Sequence, residues 1–262
     1  MQPLIRCDNV SFIRGGNVIL DGVSFEAHHG QHWAILGPNG AGKTTLISIL
    51  AARQFPSSGH VELLGTSLGK VEIADLHAQI GLCSSSVLAR IPHMETLEEV
   101  VLNASYGVLA GGKNQVFDDE DRQRANNLMN VFGVQHLAAR PIVTLSDGER
   151  QRMMMCRALM ADPEIMILDE PAAGVDLGAR EELMAALSEL AKDERSPMML
   201  LVTHHVEEIP QAFTHAMLIN HGRIAYAGEI EQVMTSQHLS DVFELPLQLG
   251  VDRGRYSAFA HL

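Results

Sequence analysis

The sequence predicts an α/β protein with a phosphate-binding loop, an antiparallel β segment ahead of that loop and a mostly helical subdomain after it. Three observations carry this prediction. Gly37-Pro38-Asn39-Gly40-Ala41-Gly42-Lys43-Thr44-Thr45 reads G-x-x-x-x-G-K-T and lies between a strand-like run, Trp33-Ala34-Ile35-Leu36, and an apolar, helix-compatible run over 46–52. Ile165-Met166-Ile167-Leu168 and Met198-Met199-Leu200-Leu201-Val202 are continuous apolar runs, the pattern of strands buried on both faces. From about residue 90 to 162 the texture changes to helix starts.

Composition sets the limits. The 262 residues suit a single large domain, and 46% apolar residues are enough for a sizeable core. The formal charge of −13 argues against a broad nucleic-acid-binding face, so no nucleic-acid partner is expected. No apolar run approaches the roughly 18 residues of a membrane-spanning helix, and the first residues lack the apolar centre of a signal peptide. Cys7, Cys83 and Cys156 are widely spaced, without C-x-x-C, and read as reduced core thiols of a cytosolic protein.

In chain order, Arg14-Gly15-Gly16-Asn17 makes a hairpin turn, and Asp21-Gly22 reads as a second turn between short apolar runs. Phe12 and Arg14 are each able to stack on a base; a core Phe and a solvated Arg are the plainer alternative. In the phosphate loop, glycines let the backbone wrap an anion without a Cβ in the way, and the N–H groups at the helix start point at the phosphates. Lys43 would reach the β- and γ-phosphates and the Thr44 hydroxyl would hold Mg²⁺. Ile80-Gly81-Leu82-Cys83 reads as a buried strand, followed by a polar loop, Ser84-Ser85-Ser86. Thr96-Leu97-Glu98-Glu99 is a capping box, Asp118-Asp119-Glu120-Asp121 starts a helix that stops near Gly133, and Gly111-Gly112-Lys113-Asn114 links the two. Ser146-Asp147-Gly148-Glu149 is a second capping box, opening a helix through Met160.

The run ending in Asp169 and Glu170 places two carboxylates at the carboxyl end of a strand, where open α/β sheets bind ligands. Asp169 would support Mg²⁺ and Glu170 would take a proton from an attacking water; a turn-initiating Asp-Glu-Pro is the structural alternative. His204 ends the next strand and is placed to contact a γ-phosphate or its water, whereas His205 reads as structural. Residues 179–192 read as an amphipathic helix, and His221-Gly222 turns a closing hairpin. The segment past Leu245-Pro246 carries no functional signal.

Together these residues resemble the ATP-binding cassette (ABC) ATPases over residues 4–234. Five motifs stand in the family's order: the phosphate loop from Gly37 to Thr44; the signature Leu145-Ser146-Asp147-Gly148-Glu149; the apolar strand ending at Asp169; the D-loop Ala173-Gly174-Val175-Asp176; and the switch histidine His204. The resemblance implies a P-loop NTPase cassette with a mixed sheet core, an antiparallel β part and a helical subdomain. It divides the single domain, 1–262, into a nucleotide-binding core (1–89 and 163–235), the helical subdomain (90–162) and a tail (236–262). It further implies ATP and Mg²⁺ as ligands and a head-to-tail homodimer through two ATP molecules. In that dimer Ser146, Gly148 and Glu149 of one chain face the nucleotide held by Gly37–Thr45 of the other, with two-fold symmetry.

Three positions depart from the family pattern. Arg14 stands where an aromatic residue usually stacks on adenine, so stacking passes to its guanidinium or to Phe12. Ser85 stands where the family has a Gln that contacts Mg²⁺ and water, and it is too short to reach the same atoms. Asp147 and Glu149 replace Gly and Gln, adding negative charge that Arg150 or Arg152 would have to offset. The resemblance implies the cytosolic ATPase subunit of a transporter of the importer type, acting with a separate transmembrane permease and peripheral on the inner face of the membrane. The alternatives are a soluble ABC ATPase that remodels or regulates a macromolecule, and a nucleotide-gated binding module that hydrolyses poorly.

Overall fold

The structure is a computed structural model that describes residues 2–70, 72–109 and 116–260. The chain opens with strands β1 (Ile5–Arg14) and β2 (Asn17–Ala27), paired antiparallel. Gly15 and Gly16 turn this hairpin with φ of 57° and 81°, the left-handed pair that a two-residue turn requires. Asp21-Gly22 is not a turn, because β2 runs through it. Val10 pairs with Val23 and Phe12 with Leu20, so one residue of β1, Ser11, faces two of β2, Asp21 and Gly22, across a bulge. Gly22, at φ 66°, supplies a bulge's backbone as readily as a turn's.

Strand β3 (Trp33–Leu36) leads into helix α1 (Lys43–Leu50), followed by β4 (Ser58–Leu63), β5 (Thr66–Ser67), α2 (Ile73–Gln79) and β6 (Ile80–Cys83). Ser84-Ser85-Ser86 is not a loop. A short helix, α3 (Ser85–Leu88), starts there, because the buried Ser84 hydroxyl accepts the Val87 N–H at 3.3 Å and caps it. Helices α4 (Leu97–Leu102), α5 (Asp119–Val131) and α6 (Asp147–Met160) follow. Reciprocal capping boxes start α4 (Thr96 with Glu99) and α6 (Ser146 with Glu149), and Asp118 caps α5. The expected Gly111–Asn114 link lies outside the described residues. The chain then runs through β7 (Ile165–Asp169), α7 (Leu177–Lys192), β8 (Met198–Thr203), β9 (His215–Asn220), β10 (Arg223–Glu229), α8 (Ile230–Val233), α9 (Ser236–Phe243), β11 (Leu247–Asp252) and β12 (Arg255–Ala260).

A six-stranded sheet in the order β10-β9-β3-β8-β7-β6 forms the centre. Its strands are parallel except β10, which returns antiparallel to β9. β3 and β8 are buried at every residue, as their apolar runs predict. A four-stranded antiparallel sheet, β2-β1-β4-β5, stands apart, and α1 packs on both β2 and β7. Trp33 joins the two sheets: its ring meets Phe25 of β2 edge-on at 6.2 Å and lies 4.7 Å from the His215 ring of β9. The three cysteines are free and buried, and burial pushes the Cys7 and Cys83 thiols up to about 12. No helix among the described residues is long and apolar enough to cross a membrane.

Helix α6 packs on the edge strand β6, and Gly81 sets how closely. A Cβ at Gly81 would overlap the Ala158 carbonyl oxygen of α6. Gly81→Ala is therefore expected to lower unfolding free energy by roughly 1–3 kcal/mol, the usual cost of overpacking. Equilibrium urea denaturation of the two chains measures it.

Candidate active site

Parallel pairing brings three chain segments to one end of the central sheet. β8 lies between β3 and β7; Leu36 pairs with Thr203, and Asp169 with Val202. The phosphate loop after β3, the carboxylates ending β7 and His204 after β8 therefore emerge together at the carboxyl edge, where open α/β sheets bind ligands.

The loop Gly37-Pro38-Asn39-Gly40-Ala41-Gly42 is built against backbone. A Cβ on Gly37 would overlap the Ile219 carbonyl oxygen. A Cβ on Gly42, at φ 101°, would sit 2.8 Å from the Ile19 oxygen and 2.8 Å from Leu20 Cδ2. Asn39 and Gly40 are exposed at the tip. Lys43 is 6% exposed, and its ammonium donates to the carbonyls of Gly37 (2.6 Å) and Pro38 (2.9 Å), closing the loop on itself. No side chain caps α1 and no acidic residue stands in its first turn, so its N-terminal N–H groups face the loop without a competing carboxylate. Thr44 is exposed and Thr45 half-buried at that start.

Asp169 and Glu170 face this cradle as a like-charged pair. Burial, then the Glu170 charge, pushes the Asp169 carboxyl up to about 6, with Lys43 opposing. Burial holds the Lys43 ammonium below its ordinary range, with Glu170 and Asp169 opposing. Glu170 has a left-handed backbone, φ 49°, fixed by its N–H to the Val202 oxygen at 2.9 Å. Such a conformation in a non-glycine residue stores strain, which concentrates at functional sites. His204 Nδ1 donates to Glu170 Oε1 at 3.2 Å, so the carboxylate determines which ring nitrogen carries the proton. Both residues line a cleft of about 310 Å³ that Arg180 and Gly174 also border.

The signature residues stand elsewhere. Ser146 and Asp147 are exposed at the start of α6, and Gly148 and Glu149 are half-buried. Glu149 accepts the Ser146 N–H at 2.7 Å, which with the Arg140 and Arg152 charges holds its carboxyl below the usual range. Arg150 offsets Asp147 at 2.9 Å, while Arg152 pairs with Glu182. α6 packs on β6, three strands from β3, a separation of roughly 14 Å at the usual strand spacing. Arg14 is exposed beside the hairpin turn, and Phe12 packs partly buried on the core. Ser85 is exposed at the start of α3.

Two residues of this region escape a sequence reading. Thr203 and Glu208 are buried, and the Thr203 hydroxyl donates to the Glu208 carboxylate while accepting the His205 N–H at 3.0 Å. Neither residue belongs to a sequence motif, and only the fold of the intervening turn joins them.

Residues 20–173 match the family model described as ABC transporter. The chain is 38% identical over 247 residues to the uncharacterized ABC transporter ATP-binding protein YlmA of Bacillus subtilis (strain 168), covering 94% of this chain and 93% of that one. It is 31% identical over 240 residues to the nickel import ATP-binding protein NikO of Rhodobacter capsulatus, covering 89% and 92%. An ATP-binding cassette of an ABC transporter, solved in its ADP conformation, superposes with a TM-score of 0.78 at 24% identity, covering 92% of this chain and 97% of that one.

The raised Asp169 carboxyl fixes the sign of a pH effect. Below about pH 4 the group is protonated in both folded and unfolded chains and adds nothing. Between about 4 and 6 the unfolded chain ionises first, so stability falls, and above about 6 the cost is constant. Asp169→Asn is expected to stabilise the nucleotide-free chain by roughly 1–2 kcal/mol at pH 7–8, a gain that disappears as pH falls to 4. Urea denaturation of both chains across that range measures it.

Proposed function

This chain belongs to the ATP-binding cassette family of ABC transporters, and from that premise we propose that it is the ATPase subunit of an importer, working as a head-to-tail homodimer on a separate transmembrane permease. Binding and hydrolysis of ATP are the family's activity. The observation that carries the mechanism is the meeting of phosphate loop, carboxylates and His204 at one sheet edge.

In this reading the phosphates of ATP occupy the loop Gly37–Thr45, where backbone N–H groups and the α1 N-terminus meet them. Lys43 exchanges its two carbonyl acceptors for phosphate oxygens. The Thr44 hydroxyl and the Asp169 carboxylate are hard oxygen donors of the kind that bind Mg²⁺ alongside phosphate, and the Glu170 charge beside Asp169 adds negative potential that Lys43 opposes. Mg²⁺ held there supplies charge neutralisation at the β- and γ-phosphates. Glu170 accepts the proton of the attacking water, and His204 orients Glu170 through the Nδ1 hydrogen bond. Arg14 or Phe12 stacks on the base.

The distance between signature and loop supports the dimer. The capped α6 start, with Ser146, Gly148 and Glu149, is an anion site that its own loop does not reach, and a two-fold pairing brings it to the partner's nucleotide. Hydrolysis removes the shared γ-phosphate and lets the pair open. The division into a nucleotide-binding core (1–89 and 163–235), a helical subdomain (90–162) and a tail (236–262) is part of this proposal. The mutual packing of α4, α5 and α6 supports it. Import is supported by the nickel-import relative, and a cytoplasmic place on the inner face of the membrane follows from the permease partner.

Glu170→Gln is expected to cut turnover at least about 10²-fold while ATP-dependent dimers persist in size-exclusion chromatography. Turnover equal to the parent's would remove Glu170 from the mechanism. The same variant, pulled down with ATP and Mg²⁺ from detergent-solubilised membranes and from cytosol in parallel, is expected to bring a multi-span membrane protein from the membrane fraction. Recovery of soluble partners or of the homodimer alone would move the chain to the non-transport ABC ATPases.

A further inference from the structure

His204 sits at the end of β8 on a turn that needs support from outside the sheet. Beneath it, Glu208 is 5% exposed and accepts from the Thr203 hydroxyl, and its own N–H reaches the His205 oxygen at 3.2 Å. Above it lies the hairpin β11–β12, which makes a second set of contacts. Arg255 of β12 donates from Nη1 and Nη2 to the two carboxylate oxygens of Glu181 on α7, at 2.7 and 3.1 Å. Nη2 also donates to the Glu207 carbonyl at 2.9 Å. The Ala258 N–H donates to the Glu207 carboxylate at 3.4 Å, so Glu207 is gripped at backbone and side chain by one strand. Leu239, Phe243 and Leu247 complete an apolar wall that, with His204 and Val206, encloses a cavity of about 230 Å³.

Arg255 thereby ties together two segments that both follow Glu170 in the chain. Glu181 lies on α7, whose start is capped by Asp176 of the D-loop; Glu207 lies three residues after His204. A guanidinium is suited to this task, because its planar fork serves a carboxylate bidentately and still has a donor for a carbonyl. The hairpin also has anchors that do not involve Arg255. Ser236 accepts the Leu249 N–H at 2.9 Å, Ser240 accepts the Leu247 N–H at 2.9 Å, and Gln211 donates to the Arg253 carbonyl.

We propose that the C-terminal hairpin is a strap that positions His204 for hydrolysis, with Arg255 as the positioning residue, so that the tail sets the rate of ATP hydrolysis and not the affinity for nucleotide. This rests on the assignment of Glu170 and His204 to hydrolysis. Loss of Arg255 frees the Glu207 carbonyl from α7 and leaves the turn after His204 held by the Thr203–Glu208 pair, while the His204 ring keeps Glu170 and the His205 ring, 4.1 Å away, as its neighbours.

The test is a double-mutant cycle in the full chain. Arg255→Ala is expected to lower kcat about 10-fold, the scale of a small misplacement. KM for ATP and the affinity for ADP should stay within about 2-fold. Arg255→Lys, with one ammonium for two acceptors, should fall between. In the His204→Ala background Arg255→Ala should lower kcat no further, because the two residues act as one unit. An unchanged kcat, or an equal fall in both backgrounds, overturns the strap. Where His204→Ala leaves too little turnover to measure, amide hydrogen exchange at Glu208 and Ile209 decides. Both amides are hydrogen-bonded within the turn, to His205 and Val206, and should exchange at least about 5-fold faster in Arg255→Ala while α7 is unchanged. Equal exchange overturns the strap. A parent chain that hydrolyses no ATP would instead overturn the hydrolysis assignment, and the exchange measurement would still test the hairpin's grip on the turn.

Discussion

Leu36 opposite Thr203 and Asp169 opposite Val202 form the register on which the rest of this molecule depends. A shift of one residue in either pairing would turn each side chain to the other face of the sheet, separating carboxylates, histidine and lysine. The register is secured by burial. β3 and β8 have no solvent face, so their apolar runs accept neighbours only in an arrangement that keeps every residue in the core. The strands then end where polarity begins, and their ends become the site.

Charge within that site is deliberately unbalanced. One buried ammonium faces two carboxylates, and the ammonium is already committed to two loop carbonyls. Burial, and then the Glu170 charge, raises the proton affinity of Asp169, and Glu170 carries a further cost in its left-handed backbone. Neither arrangement favours the resting fold. A ligand that brings positive charge to the carboxylates and acceptors to the lysine would relieve the first, which couples binding to the stability of the edge.

The parts legible in the sequence were those governed by local rules. A G-x-x-x-x-G-K-T stretch between a strand and a helix, two capping boxes and apolar runs ending in Asp-Glu or Thr-His each state their own geometry. Asp21-Gly22 and Ser84-Ser85-Ser86 misled because their chemistry serves two structures. Gly22 suits a bulge as well as a turn, and Ser84 caps a short helix as well as it lines a loop. The tail was silent for a different reason. β11 and β12 pair mainly with each other, and Arg255 gains its meaning from Glu181 and Glu207, residues distant in sequence that no periodicity links to it. The contact of Gly81 with Ala158 is hidden in the same way, since it arises between a strand and a helix that only the finished fold brings together.

Trp33 is the single tryptophan of the chain, and its place at the seam gives the protein an optical gauge of its own. One flank of the indole belongs to the antiparallel sheet through Phe25, the other to the central sheet through His215. Emission from this one ring therefore reports how the two sheets sit on each other, with no second fluorophore of its kind to confuse the signal. Burial lowers the proton affinity of His215, with Glu229 opposing, so quenching by a charged imidazole begins below the usual histidine range. At neutral pH the uncharged imidazole leaves the indole free to report the seam, and water entering there would shift its emission to longer wavelength.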